Sequence, residues 1–201
     1  MLNQFCSNGE TKNIYVQEVK FAAIDIGSNG ARILISRVLI KPKSKTPNIS
    51  PKDISFKSIE YLRYPLRLGV DAFGPGEISR PKQARLLKLM QICQLLMELH
   101  EVDDYMAYAT SAFRVSSNGQ SLITQVRKET GICIKVISGM EEAEVLSLAI
   151  LPFLEKDKSY LHIDVGGGST ELNLYNGHQR LASRSFPLGS IRNQANKTSL
   201  V

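Results

Sequence analysis

Apolar residues along the first part of the chain follow a two-residue period, which predicts β-strands. A β-rich apolar run ends the stretch 14–26, and after a short turn a second strand is predicted over 31–40. A loop rich in Pro, Lys and Ser covers 41–53, and alternation resumes in extended form over 54–67. The chain is therefore predicted to open with three strands.

The apolar period then becomes helical. The clearest helix is predicted over 79–100, where Ser79 can cap the first turn and Pro81 suits it. The residues that follow the helical period are Leu86, Leu89, Met90, Cys93, Leu96, Met97 and His100.

Strands and helices alternate after this helix. The further predicted elements are a strand at 105–109, a helix from Asn118 to its stop at Gly131, a strand at 132–137 and a helix at 141–154 that ends near Pro152. The order βββαβαβα is that of a ribonuclease-H-like unit, so the predicted fold class is α/β.

After residue 154 the opening pattern starts again. Strands are predicted at 160–165 and 170–175 around a turn at 166–168, and Asn176-Gly177 is a strong hairpin signal before a returning strand at 179–186. FAAIDIGSNGARILIS and YLHIDVGGGSTELNLY align without gaps at an offset of 139 residues, the difference between 164 and 25. We interpret this match as an internal duplication.

The second copy is incomplete in this sequence. It is predicted to stop after its third strand, at SIRNQANKTSLV, so the αβαβα part is absent and the half-built sheet would expose apolar faces. The predicted domains are residues 14–154 and, as the start of a second, truncated ribonuclease-H-like domain, residues 155–201.

Each copy carries the residues of an anion site at the end of its first strand. Glycines allow a tight turn whose N–H groups can surround an anion, and hydroxyl groups such as those of Ser28, Ser169 and Thr170 add donors. Asp25 and Asp164, which the alignment superimposes, could hold a divalent cation, because magnesium prefers a few carboxylates together with phosphate oxygens. Two such hairpins facing each other would bind consecutive phosphates.

Further candidates are three arginines and a pair of glutamates. Arg32, Arg67 and Arg114 could bind phosphate, although each could also be an ordinary surface charge. Glu141 and Glu142 begin a helix at the junction of the copies, where one could deprotonate a water molecule or both could simply complement the helix dipole. Only one of two adjacent residues at a helix start can point into the cleft.

Charge and composition narrow the function classes. The net charge of +6 equals the excess between Arg37 and Arg67, where eight basic residues face two acidic ones, which suits a polyanionic partner or a solvated loop. Nucleic acid is not favoured, because no aromatic residues interleave with the basic ones. No membrane span or secretory pattern is present, and three cysteines without metal-ligand spacing suggest free thiols in the cytoplasm.

The chain resembles the exopolyphosphatase and guanosine pentaphosphate phosphohydrolase family, within the actin-like ATPase superfamily. The matching stretches lie between Phe21 and Arg192 and are AAIDIGSNGARILIS, YPLRLG, YATSAFR, TGICIKVISGMEEAE, IDVGGGSTELNLY and SRSFPLGSIR. SGxEEA together with DxGGGSTEL is specific to this family, whereas DxGSN alone occurs across the superfamily.

The resemblance implies removal of a terminal phosphate from polyphosphate, or of the 5′-phosphate from guanosine pentaphosphate, with magnesium or manganese. It implies Glu142 as the base for water, and Asp25, Asp164 and Glu171 as metal-associated carboxylates. The implied phosphate-binding residues are Gly27, Ser28, Asn29, Arg32, Arg67, Arg114, Gly166, Gly167, Gly168, Ser169 and Thr170. A homodimer is possible for the full-length parent.

Two departures from the family pattern and two alternatives stay open. Gly30 lies where the family often has a hydroxyl residue, and Glu144 lies where it often has Arg, which removes a positive charge near the base. An ATP-binding kinase or actin-like ATPase would use the same superfold. An inactive, truncated anion-binding fragment is the second alternative. The sequence does not distinguish polyphosphate from guanosine pentaphosphate, because both end in the same phosphoanhydride.

Overall fold

The computed structural model of the chain describes residues 17–40 and 54–198. Cys6, the predicted loop at 41–53, the first residues of the predicted 14–26 strand and the last three residues of the tail lie outside these ranges. The strands are β1 (Gln17–Ile26), β2 (Ala31–Ile40), β3 (Ile54–Tyr64), β4 (Asp104–Ala109), β5 (Lys135–Val136), β6 (Ser159–Val165), β7 (Thr170–Asn176) and β8 (Gln179–Phe186). The α-helices are α1 (Leu68–Phe73), α2 (Arg80–Leu99), α3 (Ser111–Val115), α4 (Gly119–Thr130), α5 (Gly139–Ile150) and α6 (Ser190–Thr198), and a 3₁₀ turn covers Leu151–Phe153.

The first sheet has the strand order β3-β2-β1-β4-β5. The β1–β2 and β2–β3 pairs are antiparallel, whereas the β1–β4 and β4–β5 pairs are parallel. This order and these directions are ribonuclease-H-like, so the predicted fold class is confirmed. Ile26, Ala109 and Val136 lie side by side at the carboxyl ends of the three parallel strands. The loops that follow these strands therefore meet at one edge of the sheet.

The main core lies between one face of the first sheet and helices α2 and α4. Ile24 and Ile33 of the sheet and Met90 of α2 are at most 2% exposed. Full burial of such side chains stabilises the fold by roughly 1.5–3 kcal/mol each. Helix α4 ends where Gly131 adopts a φ of 73°, a left-handed conformation that favours glycine.

Several local predictions differ from the structure. Helices α1 and α3 were not predicted, and only Lys135–Val136 of the predicted 132–137 strand pairs in the sheet. Ser79 precedes α2 as predicted, but its side chain makes no capping hydrogen bond. Instead its backbone N–H donates to the Asp71 carboxylate at 3.0 Å.

The second sheet consists of β6, β7 and β8, all antiparallel. The predicted hairpin between β7 and β8 is confirmed, but its two-residue loop is Gly177-His178, because Asn176 still pairs with Gln179. The second copy was predicted to stop after its third strand, but helix α6 follows that strand. The division into domains 14–154 and 155–201 stays a prediction. Within the described ranges, no helix combines the length and apolar character that crossing a membrane requires.

Helix α6 fixes the turn between β6 and β7. The backbone N–H groups of Ile191 and Arg192 donate to the Gly167 carbonyl at 2.9 and 3.0 Å, and that of Ser190 donates to the Gly166 carbonyl at 3.0 Å. The Arg192 guanidinium also donates to the Gly168 carbonyl at 2.7 Å and lies 4.0 Å from the centre of the Phe73 ring. The turn is thereby joined to α1 of the first repeat.

We expect Gly189→Ala to destabilise the protein by about 1–3 kcal/mol. A Cβ at Gly189 would lie 2.5 Å from the backbone carbon and oxygen of Gly167, so the turn or α6 must shift. Gly27→Ala is the control, because a Cβ there meets only the Gly30 oxygen at 3.4 Å, an ordinary contact. Urea unfolding measures both; equal stability of the two variants would mean that the Gly167–Gly189 contact is not tight.

Candidate functional site

A cleft of about 280 Å³ opens at the carboxyl ends of the parallel strands, between the two repeats. The first turn, residues 27–30, follows β1. Thr110 and Ser111 follow β4, and Glu142 follows β5. The second turn, residues 166–169 between β6 and β7, closes the cleft from the other sheet. The lining residues are Asp25, Gly27, Ser28, Asn29, Gly30, Ala31, Arg32, Arg63, Thr110, Ser111, Glu142, Asp164, Val165, Gly166, Gly167, Gly168 and Ser169.

The two turns have the same geometry. The Gly27 N–H donates to the Gly30 carbonyl at 2.9 Å, and the Gly166 N–H donates to the Ser169 carbonyl at 2.9 Å. Asp25 pairs with Arg32 across its hairpin as Asp164 pairs with Glu171 across the other. The gapless alignment of the repeats is thus reproduced in the strand register.

The turns approach each other closely around Ser28. A Cβ at Gly167 would lie 3.1 Å from the Ser28 Cβ and 3.3 Å from the Asn29 nitrogen, and a Cβ at Gly168 would overlap the Ser111 hydroxyl. The Ser28 and Ser111 hydroxyl groups are buried and lie 2.8 Å apart in a hydrogen bond. Only glycine permits this approach of the second turn to the first.

Charged side chains form a row on β1, β2 and β3. The Nε and Nη2 atoms of Arg32 both lie 2.6 Å from one carboxylate oxygen of Asp25. Arg63 lies directly opposite Arg32 in the β2–β3 register and also lines the cleft. Arg63 was not predicted as a site residue.

The two adjacent glutamates at the start of α5 make different contacts. The side chain of Glu141 accepts from the backbone of Ser138 at 2.8 Å, the Ser138 hydroxyl accepts from the backbone of Glu141 at 3.2 Å, and Glu141 also pairs with Lys135 at 2.7 Å. This capping box starts the helix. Glu142, one residue later, lines the cleft instead.

Glu142 is held by Arg114 in a partly buried ion pair. One guanidinium nitrogen of Arg114 lies 3.2 Å from the Glu142 carboxylate and donates to the Ile137 carbonyl at 2.6 Å. Burial raises the pKa of Glu142, Arg114 opposes this shift, and the negative charges of Glu171 and Asp25 add to it. A carboxyl group with a raised pKa in a polar cleft suits a proton acceptor working near neutral pH.

The predicted metal-associated carboxylates occupy different environments. Asp25 and Asp164 line the same cleft, whereas Glu171 is 2% exposed and accepts from the Ser185 hydroxyl at 2.8 Å. In the part of the chain that the structure describes, no group of three or more His, Cys, Asp or Glu side chains could hold a metal ion. Asp25 and Asp164 supply a donor set of the kind that magnesium uses, which is one or two carboxylates together with waters and phosphate oxygens.

Three other predicted residues lie outside the lining of the cleft. Arg114 lies behind Glu142, as described above. Arg67 is exposed and positions the first turn through its backbone, whose N–H donates to the Asn29 carbonyl at 2.7 Å. The Thr170 hydroxyl donates to the Leu188 carbonyl at 2.7 Å. The roles assigned to these residues stay predictions.

Four polar or charged residues around the cleft were missed. Thr110 and Ser111 belong to the quoted stretch YATSAFR, in which only Arg114 was singled out, although residues that follow a parallel strand are expected at its site edge. Arg192 ends the matched stretch SRSFPLGSIR, yet no sequence signal shows its contact with the Gly168 carbonyl. Arg63 becomes a candidate only through the β2–β3 register.

The raised pKa of Glu142 predicts the sign of a pH effect on stability. The folded carboxyl group binds its proton more tightly than the unfolded one, so the stability of the wild type relative to Glu142→Gln falls as pH rises above the ordinary value of 4.5. The difference levels off once pH exceeds the raised pKa. Urea unfolding of both proteins at a series of pH values measures it.

Glu141→Gln gives the matched control with the opposite sign. Hydrogen bonds from Lys135 and the Ser138 backbone lower the pKa of Glu141 to about 2, so its contribution to stability rises between about pH 2 and 4.5. Gln can keep the capping-box contact. A relative stability that instead rises with pH for Glu142 would mean that its Arg114 ion pair outweighs burial.

Comparisons with known proteins identify the family of this chain. Residues 51–196 match the Ppx/GppA phosphatase family. The bifunctional 3-dehydroquinate synthase/phosphatase of Fusobacterium nucleatum is 31% identical over 175 residues, which is 85% of this chain and 25% of that protein. Exopolyphosphatase 1 of Mycobacterium leprae is 26% identical over 175 residues, which is 87% of this chain and 48% of that protein.

A solved structure shows the same fold. The crystal structure of an exopolyphosphatase from Cytophaga hutchinsonii superimposes with a TM-score of 0.75 at 27% identity, covering 88% of this chain and 53% of that one. The chain thus spans about half the length, or less, of these relatives. The resemblance drawn from the motifs is confirmed, and the chain belongs to the Ppx/GppA phosphatase family.

Proposed function

We propose that the cleft belongs to a phosphohydrolase that removes the terminal phosphate of inorganic polyphosphate or the 5′-phosphate of guanosine pentaphosphate. The observation that carries this proposal is the meeting of two equivalent glycine turns with one partly buried glutamate in a single cleft. Membership in a phosphatase family, and likeness to two proteins named exopolyphosphatase, support the reaction class.

The phosphate groups would bind along the two turns. Glycine turns bring backbone N–H groups close to an anion, and Ser28 and Ser169 add hydroxyl groups at the cleft. Asn29 and Arg32 extend the first turn, while Gly166, Gly167 and Gly168 form the second. Two facing turns suit a substrate with consecutive phosphates better than a lone phosphate.

Glu142 would act as the general base. A water oxygen attacks the terminal phosphorus, its proton passes to the Glu142 carboxylate, and the bond to the bridging oxygen breaks. The shortened chain leaves with the electron pair of that bond. The Arg114 guanidinium, 3.2 Å from the carboxylate, would orient Glu142 and keep enough of it ionised to accept the proton.

Magnesium or manganese would be held by Asp164 and Asp25, with Glu171 behind them. The ion would neutralise charge on the phosphate oxygens. Asp25 already forms an ion pair with Arg32. Of the two cleft aspartates among the described residues, Asp164 is therefore more available to a metal ion. A cytoplasmic location and a homodimer of a longer parent also stay proposals.

We expect Glu142→Gln to lower phosphate release by about 10²–10⁴-fold, the usual contribution of a general base. The amide keeps the size and hydrogen-bonding capacity of the side chain but does not accept a proton. Release of phosphate from polyphosphate and from guanosine pentaphosphate, with magnesium or manganese, measures the effect. Affinity for polyphosphate should stay within a few-fold of that of the wild type.

Glu144→Gln is the matched control, because Glu144 lies on the same helix, is 65% exposed and faces Arg180 at 3.9 Å. It should release phosphate at the wild-type rate. Unaltered turnover of Glu142→Gln would remove Glu142 from the mechanism. A wild-type chain that binds polyphosphate and releases no phosphate would be an anion-binding module.

A further inference from the structure

Arg63 lines the cleft, and unlike Arg32 and Arg114 its side chain has no acidic partner among the described residues. Two arginines line the cleft, and Arg32 is neutralised by Asp25 at 2.6 Å. Arg114, behind the cleft, pairs with Glu142 at 3.2 Å. Arg63 is exposed on β3, and its side chain forms no hydrogen bond or ion pair with any residue in the described ranges.

The register of β2 and β3 makes this arrangement unfavourable without an anion. Arg32 and Arg63 lie directly opposite each other on neighbouring antiparallel strands. Like charges in that position repel and destabilise the strand pair. One carboxylate, that of Asp25, belongs to the row with these two guanidinium groups, so the row carries one positive charge that no carboxylate on β1, β2 or β3 at the cleft offsets.

The order of the row shows which part of a substrate this charge can reach. Asp25, Arg32 and Arg63 occupy the successive strands β1, β2 and β3, and neighbouring strands are about 4.8 Å apart. Glu142 lies in the first turn of α5, which follows β5, and β5 lies on the other side of β1 from β2 and β3 in the strand order. Arg63 therefore lies at the opposite end of the row, about 10 Å of strand spacing beyond β1.

We infer that Arg63 binds a phosphate group further along the substrate than the terminal phosphate, which is attacked by the water that Glu142 activates. Arg63 thereby selects substrates with several consecutive phosphates. This inference rests on the proposed function and names a further binding residue of that site. A guanidinium can bind two phosphate oxygens at once and stays charged at any working pH. Arg63 thus discriminates by chain length, and both proposed substrates end in consecutive phosphates.

The test compares anions of increasing length. The affinity of the 201-residue chain for orthophosphate, pyrophosphate and tripolyphosphate is measured by calorimetric titration at constant ionic strength and constant magnesium. We expect Arg63→Ala to weaken tripolyphosphate binding about tenfold, as for the loss of one charge-assisted hydrogen bond, and orthophosphate binding less than twofold. Arg63→Lys should fall in between, because it keeps the charge without the planar pair of donors.

Arg85→Ala is the matched control, since Arg85 is exposed on α2, away from the lining residues, and its loss changes the net charge equally. It should leave all three affinities unchanged. Equal losses for orthophosphate and tripolyphosphate, or no loss, would overturn the role of Arg63 while the proposed function stands. A wild-type chain that binds none of the three anions would overturn the proposed function, and the role of Arg63 with it.

Discussion

The close approach of the two glycine turns is the constraint on which the rest of the cleft depends. The peptide between Gly167 and Gly168 lies between Ser28 of the first turn and Gly189 of the second repeat, with no room for a side chain on either side. This contact sets the distance between Asp25 and Asp164, because each aspartate lies two residues before the first glycine of its turn. Helix α6 holds the second turn from behind through its first N–H groups. A cleft between two sheets is thus built from backbone contacts, which keep side-chain donors and carboxylates available for a ligand.

Electrostatics then divide the cleft into two ends. At the end formed by β4, β5 and α5, Glu142 is partly buried beside Arg114, and the raised pKa of its carboxyl group reflects burial together with the charges of Glu171 and Asp25. At the end formed by β2 and β3, the guanidinium groups of Arg32 and Arg63 lie opposite each other, and the Asp25 carboxylate pairs with Arg32 on the β1 side. Under the proposed function, a polyanion would relieve the repulsion at one end and present its terminus to Glu142 at the other. This asymmetry would then orient the proposed substrate, because the repeats are similar in backbone but the first has Arg32 where the second has Glu171.

The parts that the sequence predicted well are those whose signal is local. The bounds of β2 and β8 agree with the predicted ranges, and the two turns were located from Asp, Gly and hydroxyl residues alone. Helices α1 and α3 were missed because six and five residues are too few to establish a helical period. Arg63 was missed because its position depends on strand register, which here includes an irregularity between Ile35 and Ser36. Arg67 and Thr170 were predicted from the family motif. Motif matching does not show that Arg67 contacts the first turn through its backbone N–H, or that the Thr170 hydroxyl donates to the Leu188 carbonyl.

The repeats also show that an apolar pattern predicts which face of a strand is apolar, but not whether another element packs against that face. Ala22, Ile24 and Ile26 of β1 are at most 2% exposed beneath α2 and α4, whereas their equivalents Leu161, Ile163 and Val165 of β6 are 55–63% exposed. Successive side chains of a strand point to opposite faces, so Asp164 lies on the other side of the sheet from these three. That other side carries α5, where the Ser147 and Tyr175 hydroxyl groups lie 2.7 Å apart in a buried hydrogen bond. The placement of the second aspartate in the cleft therefore depends on α5 and the glycine turn, while burial of the opposite apolar face would change the stability of the sheet without moving the site.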